Sequence, residues 1–221
     1  MKKALIFRGG WAGHEPVQTS DMVAEGLRKQ GAEVDIFDNQ ECLLQEGLEE
    51  KYDVIIPVWT MGKLIPEGSK ALLKAVQNGV GLGGWHGGMC DAFRDNTDYQ
   101  FMTGGQWVAH PGGVIDYRVR ITSDDPIVRG IGDFDMHSEQ YYMHVDPGNE
   151  VLAVTRFNGE HCPWIDGTVM PVVWKRMYGK GRVFYSSLGH VAEDFRSVPQ
   201  ILEIAVRGIL WAADGSPRKT C

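Results

Sequence analysis

Two runs that are hydrophobic at every position, Ala4-Leu5-Ile6-Phe7 and Val54-Ile55-Ile56, leave this chain few folds to choose from. Successive strand side chains point to opposite faces, so a strand that is apolar throughout must be covered on both sides. The segments between such runs supply the covers. Pro16 to Gln30 carries Val17, Met22, Val23 and Leu27 near helical spacing, and a second helix is expected from about Glu67 to Gln77. Val34, Ile36 and Phe37 read as a second strand, Tyr52 to Trp59 as a third and Val80 to Trp85 as a fourth. Strands alternating with helices require right-handed crossovers and a parallel sheet between two helical layers. The expected fold is therefore α/β, a doubly wound and mostly parallel sheet flanked by helices.

The second half follows another pattern. Val114 to Thr122 alternates polar and apolar residues with the period of a half-buried strand, and Val151 to Phe157 reads as one more. Val172 to Met177 and Arg182 to Ser187 flank Tyr178-Gly179-Lys180-Gly181, a hairpin signal with glycines available for positive φ. An antiparallel extension of the sheet is expected. Pro199 opens a final helix through Trp211, and the tail 215–221 is expected to fray. Repeats, low-complexity tracts and linkers are not evident, so residues 1–214 read as one domain.

Composition excludes several functions. With 22 Lys+Arg against 29 Asp+Glu and no dense basic stripe, the chain lacks the electrostatic footprint of a nucleic-acid binder. The apolar stretch after Lys2-Lys3 is only Ala4 to Phe7, too short for a secretion signal, and no span of about 18 apolar residues follows. No membrane association and a cytoplasmic location are expected. Cys42, Cys90, Cys162 and Cys221 show no CxxC spacing, so neither a disulfide framework nor a structural zinc site is indicated. As for many soluble enzymes, a homo-oligomer is the general expectation.

Ligands of open parallel sheets bind beyond the carboxyl ends of the strands, and the polar residues gather there. After the first strand, Gly9-Gly10-Trp11-Ala12-Gly13-His14 delivers His14 to the start of a helix; this is either a capped tight turn or a ligand-binding loop. The nucleotide spacings GxGxxG and GxxxxGK[ST] are absent. The fourth strand runs into Gly84-Trp85-His86-Gly87-Gly88, the Gly-x-His-x-Gly spacing of a nucleophile elbow with His86 in the nucleophile's place. Imidazole there suits acid/base work, polarising a carbonyl or ligating a metal better than acyl transfer. Farther on, Arg94, Asp95, Trp107 and His110 form a polar, aromatic and glycine-interrupted stretch of the kind that binds a polyhydroxylated ligand. Glu139 and Tyr142 follow in Ser138-Glu139-Gln140-Tyr141-Tyr142-Met143-His144, and His190 ends Ser187-Leu188-Gly189-His190. An ordinary polar surface or a structural histidine is the competing account of each motif singly; histidines 14, 86, 110, 144 and 190 with Glu139, all near element ends, are harder to assign to packing.

Trp85-His86-Gly87-Gly88, Phe93-Arg94-Asp95-Asn96-Thr97-Asp98-Tyr99, Gly104-Gly105-Gln106-Trp107 with His110-Pro111, Glu139-Gln140-Tyr141-Tyr142 and Gly181 through His190 together resemble the trehalose-utilisation, ThuA-like family. The resemblance spans nearly the whole chain. It implies a class I glutamine-amidotransferase-like, flavodoxin-like α/β fold and a role in bacterial sugar metabolism, on keto-glycoside derivatives of disaccharides. True amidotransferases carry Cys at the elbow; with His86 there, glutamine hydrolysis should be absent. The family's acidic pair reads Ser138-Glu139 here, leaving Glu139 as its carboxylate.

The leading expectation is proton transfer beside the carbonyl of a keto-sugar or keto-glycoside, ending in isomerisation, elimination or hydrolysis. Glu139 or His190 would be the base, with His86 and His110 directed at the carbonyl. His14, Trp85, Arg94, Asp95, Trp107 and Tyr142 would bind substrate. No cofactor motif is present; the histidines and Glu139 could hold a divalent metal with an open position, though no HExxH spacing supports it. The alternative is a non-catalytic sugar-binding or regulatory protein on an enzyme-like scaffold.

Overall fold

The computed structural model describes residues 1–216. The rest of the expected frayed tail, with Cys221, lies outside the described residues. Strands β1 (Lys3–Gly10), β2 (Glu33–Phe37), β3 (Val54–Thr60) and β4 (Gly81–Trp85) alternate with helices α1 (Pro16–Lys29), α2 (Leu48–Lys51) and α3 (Pro66–Asn78). The chain continues through α4 (His86–Cys90), α5 (Thr97–Thr103), β5 (Gly105–Ala109), β6 (Val114–Ile121), β7 (Phe134–Glu139) and β8 (Tyr142–Val145). It closes with β9 (Glu150–Arg156), β10 (Val169–Tyr178), β11 (Gly181–Ser186), α6 (Ala192–Ser197) and α7 (Pro199–Ala213).

Among the described residues one nine-stranded sheet runs in the order β2-β1-β3-β4-β11-β10-β9-β6-β7. The first five are parallel, in the flavodoxin-like arrangement, and the last four are antiparallel. The hairpin at Gly179 and Lys180 forms as its glycines require, Gly179 taking φ 59°. Three short strands escape the sequence pattern: β5 and β8, which pair only with each other, and β7, at the sheet edge. Of these, β5 carries Trp107 and β7 carries Glu139, residues whose polar and aromatic character the strand pattern alone does not account for.

The double apolar run of β1 is explained by two cores. Ala4 and Ile6 face α1 and α7 through Val23, Leu27, Ile201, Ile204 and Ile209, while Leu5 and Phe7 face α3 through Leu72 and Val76. Helix α7 lies close enough to the sheet that a Cβ on Gly208 would fall on the Phe184 ring, and one on Gly83 would come within 2.9 Å of Ile209. Overpacking of this kind costs about 1–3 kcal/mol. Gly208→Ala is therefore expected to lower the melting temperature by about 2–4 °C for each kcal/mol, read by thermal denaturation; an unchanged melting temperature would mean that α7 can move away freely.

The three described cysteines are buried free thiols. Burial pushes the Cys42 thiol up to about 12 and raises that of Cys90 further, so neither is a nucleophile at neutral pH.

Candidate functional site

Four of the five parallel strands deliver one polar side chain each to a single point beyond their carboxyl ends. His14 comes from the short turn after β1, Thr60 from the end of β3, His86 from the β4–α4 junction and His190 from the loop after β11. Glu139, at the end of β7, enters from the antiparallel half. The elbow at His86 has the strain expected of it: His86 takes φ 46°, the left-handed region that a β-substituted residue adopts only at a cost of about 1–3 kcal/mol. The turn is held by the Tyr185 hydroxyl, which donates to the His86 carbonyl at 2.9 Å, and by the Tyr141 ring, stacked on the imidazole with centroids 4.1 Å apart.

Glu139 Oε2 is the hub. It lies 3.2 Å from His86 Nε2, 3.3 Å from His190 Nδ1 and 3.7 Å from His14 Nε2, while Oε1 is 3.7 Å from His110 Nε2. His86 Nε2 and His190 Nδ1 are 3.3 Å apart. Burial works against the carboxylate, but the surrounding His14, His190 and His86 rings outweigh it and hold Glu139 below the ordinary carboxylate range. Burial likewise pushes His86 down to about 3, against the pull of Glu139, so at neutral pH this ring is uncharged.

The tautomer of His86 follows from its second contact. Its Nδ1 lies 2.8 Å from the Ser187 carbonyl oxygen, which only accepts, so Nδ1 carries the proton and Nε2 presents a lone pair. That lone pair faces the Glu139 carboxylate in a buried setting, an arrangement that needs a shared proton or a cation between the two atoms. One ligand atom each from His14, His86, Glu139 and His190 lies within 4.8 Å of all the others. Nitrogen and oxygen ligands about 2.0–2.1 Å from a tetrahedral metal ion stand about 3.3 Å apart. The separations of 3.2, 3.3 and 3.7 Å around Oε2 fit such a set. The outer contacts fit as well: His14 Nδ1 is 2.8 Å from Thr60 Oγ1, and the Ser187 carbonyl fixes His86.

Around this hub lies an aromatic and cationic wall. The Arg94 guanidinium clamps buried Asp91 through two hydrogen bonds, 2.5 and 3.0 Å, and lies 4.4 Å from the Trp107 ring. The Trp107 and His110 rings are 5.6 Å apart, and among the described residues Trp107 Nε1, His110 Nδ1 and Gln106 Oε1 are buried with no hydrogen-bond partner. Unpaired buried polar atoms cost about 1–3 kcal/mol each, so the two on the neighbouring Trp107 and His110 rings leave hydrogen-bonding capacity unused beside the hub.

Of the residues expected at the site, His14, His86, His110, Glu139 and His190 come together, with Arg94 and Trp107 beside them. Trp85, Asp95 and Tyr142 do not. Trp85 is 3% exposed and turns its ring into the core against Phe195. Asp95 faces outward to Lys63, and Tyr142 packs on Phe157. His144 is exposed on β8 and is not part of the cluster. Tyr141, Thr60, Asp91 and Ser187 were not singled out from the sequence. Thr60 had a usable signal, its place at the carboxyl end of a parallel strand. Ser138, where the resemblance calls for an acid, is buried and donates to Asp194 Oδ2 at 2.6 Å.

A family model described as trehalose utilisation, ThuA, matches residues 3–212. A ThuA-like protein from Parabacteroides merdae superposes with a TM-score of 0.77 at 18% identity, covering 99% of this chain and 92% of its own. A ThuA-like protein from Bacteroides uniformis gives 0.77 at 19% identity, over 96% of this chain and 91% of its own. A β-galactosidase from Bacillus circulans sp. alkalophilus gives 0.59 at 16% identity, with 96% of this chain but only 30% of that one covered. At these identities the likenesses show a shared fold. No curated protein matches the chain.

Proposed function

The chain belongs to the ThuA trehalose-utilisation family, and from that premise we propose that it moves a proton beside the carbonyl of a keto-sugar or keto-glycoside. The observation that carries this reading is the buried Glu139 carboxylate ringed by His14, His86 and His190. An ionised carboxylate placed against the substrate can accept a proton from carbon, and neutral imidazoles beside it can polarise the oxygen on which charge develops. In a 3-keto-glycoside, removal of the proton on C2 gives an enolate. Its electrons then either return to carbon as an isomer or form the C1=C2 bond as the C1–O bond breaks and the released oxygen takes a proton. Trp107, His110 and Arg94 would hold the ring, with Trp107 Nε1–H donating to one of its hydroxyl oxygens and His110 Nδ1 bonding another hydroxyl.

Three of His14, His86, Glu139 and His190 would suffice to hold a divalent cation with one position open, where it would supply Lewis-acid stabilisation of enolate charge. A cytoplasmic location accords with this reading; among the described residues no helix is long and apolar enough to cross a membrane. The test is mass-spectrometric identification of products from 3-keto-trehalose and related 3-keto-glycosides, with elemental analysis of the same preparation. An enone or isomer formed by protein holding about one equivalent of metal, and lost in step with the metal on chelation, is the expected result. Sugar binding without any product would leave a binding protein instead.

A further inference from the structure

Next to the His–Glu hub, and not explained by it, is a cavity of about 820 Å³ between the β6–β7 hairpin and α6, with Ser138, His190 and Asp194 in its wall. Its size is that of pockets, about 300–1,000 Å³, that enclose a small molecule. Its apolar lining is built from Val114, Tyr117, Met136, Val191 and Val198.

The polar groups around it already satisfy one another. Asp116 bonds His137 Nδ1 at 2.7 Å, Arg118 bonds Asp135 at 2.9 Å, and Glu193 takes Arg196 at 3.2 Å and Ser197 at 2.8 Å. Asp194 Oδ2 accepts both the Ser138 hydroxyl and the His190 backbone N–H, at 2.6 and 2.9 Å. What the cavity offers a ligand is therefore mainly the apolar surface that its lining side chains leave toward it. Carboxylates at Asp116, Asp135, Glu193 and Asp194 also outnumber the single guanidinium of Arg118 around the cavity, so an anionic group would be repelled.

The cavity is tied to the hub by the ladder itself. Val114 stands directly across from Glu139 in the β6–β7 pairing, and the Tyr117 hydroxyl donates to the Glu139 carbonyl at 3.3 Å. His190 belongs both to the wall of the cavity and to the hub, so a group seated there adjoins one held at the hub. We propose that this cavity is the subsite for the leaving-group half of the substrate, and that this half is an uncharged aryl aglycone. The inference rests on the keto-glycoside reading above, in which the C1–O bond breaks and the aglycone departs as a neutral alcohol after taking a proton. The Tyr117 ring and the Met136 thioether are suited to an aromatic face, and the charge that forms on the departing oxygen is removed by the proton it takes, so the aglycone that leaves the acidic rim is uncharged.

The test separates the subsite from the reaction. Binding of 4-nitrophenyl β-glucoside and methyl β-glucoside, neither of which carries a keto group to react, is measured by calorimetry on the whole protein. The aryl glucoside is expected to bind at least about tenfold tighter, the scale of one buried aromatic ring. Val114 is 47% exposed, so Val114→Glu keeps the fold, checked by melting temperature, and should cut that preference below about threefold; Val198→Glu should do the same. Equal affinities in the wild-type protein, a preference untouched in both variants, or tighter binding of trehalose than of the aryl glucoside would each overturn the proposal. Turnover of the corresponding 3-keto-glycosides is then measured: absence of product with the aryl preference intact removes the reaction and leaves the subsite standing.

Discussion

Glu139→Gln is expected to lower turnover by about 10²–10⁴-fold, the range associated with a positioned acid or base. The substitution keeps size and shape and removes only the charge, so its effect reads the electrostatics of the hub. Three imidazoles lie within 3.7 Å of Glu139 Oε2. Among the residues proposed to hold a cation, Glu139 is the one carboxylate. A neutral amide can neither take a proton from carbon nor balance a cation, and its NH₂ would meet the His86 lone pair as a donor, closing the gap where substrate or metal must act. Glu139→Asp keeps the charge but withdraws it by one methylene, so its activity should fall between the two. Steady-state rates on 3-keto-trehalose with metal content measured alongside provide the check; Glu139→Gln within threefold of wild type would remove Glu139 from the chemistry.

How far this hub could be read from sequence depends on the element. The parallel half was legible because burial on both faces leaves an uninterrupted apolar signature, as in Ala4 to Phe7, and because glycines at an elbow are demanded by backbone geometry. Both properties are local. The facing of single side chains was not. Trp85 immediately precedes His86, yet its ring packs on Phe195 while His86 turns to Glu139, because the left-handed His86 backbone ends the strand and redirects the chain. The same limit separates Tyr141 from Tyr142: adjacent phenols read alike, yet Tyr141, in the two-residue link between β7 and β8, stacks on His86, while Tyr142, the first residue of β8, packs on Phe157. Strands β5 and β8 are too short and too aromatic to show a clear period, and in β7 the alternation of Phe134, Asp135, Met136 and His137 breaks off at Ser138 and Glu139, which are both buried. β7 ends in Glu139 at the edge of the main sheet, and β5 and β8 form a separate two-stranded ribbon with no long apolar face to read.

The non-local partners were out of reach for a related reason. Ser187, Thr60 and Asp194 act through hydrogen bonds to residues from 4 to 101 positions away. Short polar side chains of this kind are common everywhere, and what distinguishes them is burial next to a histidine or glutamate whose orientation they fix. Asp194 joins the Ser138 side chain to the His190 backbone, and so sets the spacing between the neighbouring Glu139 and His190. The resemblance placed an acid at position 138; here the buried acid beside that position comes from α6.

A second large effect is expected from a single methyl group. Gly87 lies in α4 with ordinary negative φ, so alanine is sterically allowed by its backbone and favoured by helix propensity. Its Cβ would stand 2.5 Å from both Cε1 and Nδ1 of His14 and 3.0 Å from Thr60 Oγ1. His14 has little room to yield: Nδ1 is bonded to Thr60, and the ring is flanked by Trp11, His86 and His190 at centroid distances of 4.7, 4.6 and 5.0 Å. Gly87→Ala should therefore displace His14 from Glu139 and lower turnover about 10²-fold, the cost of misplacing a catalytic group by roughly an ångström. Gly132→Ala, where an added Cβ meets nothing within 4 Å, should leave rates and melting temperature unchanged. A double-mutant cycle identifies the route: if the effect passes through His14, Gly87→Ala adds little in a His14→Ala background, whereas additive losses would show that the methyl group acts elsewhere in the elbow.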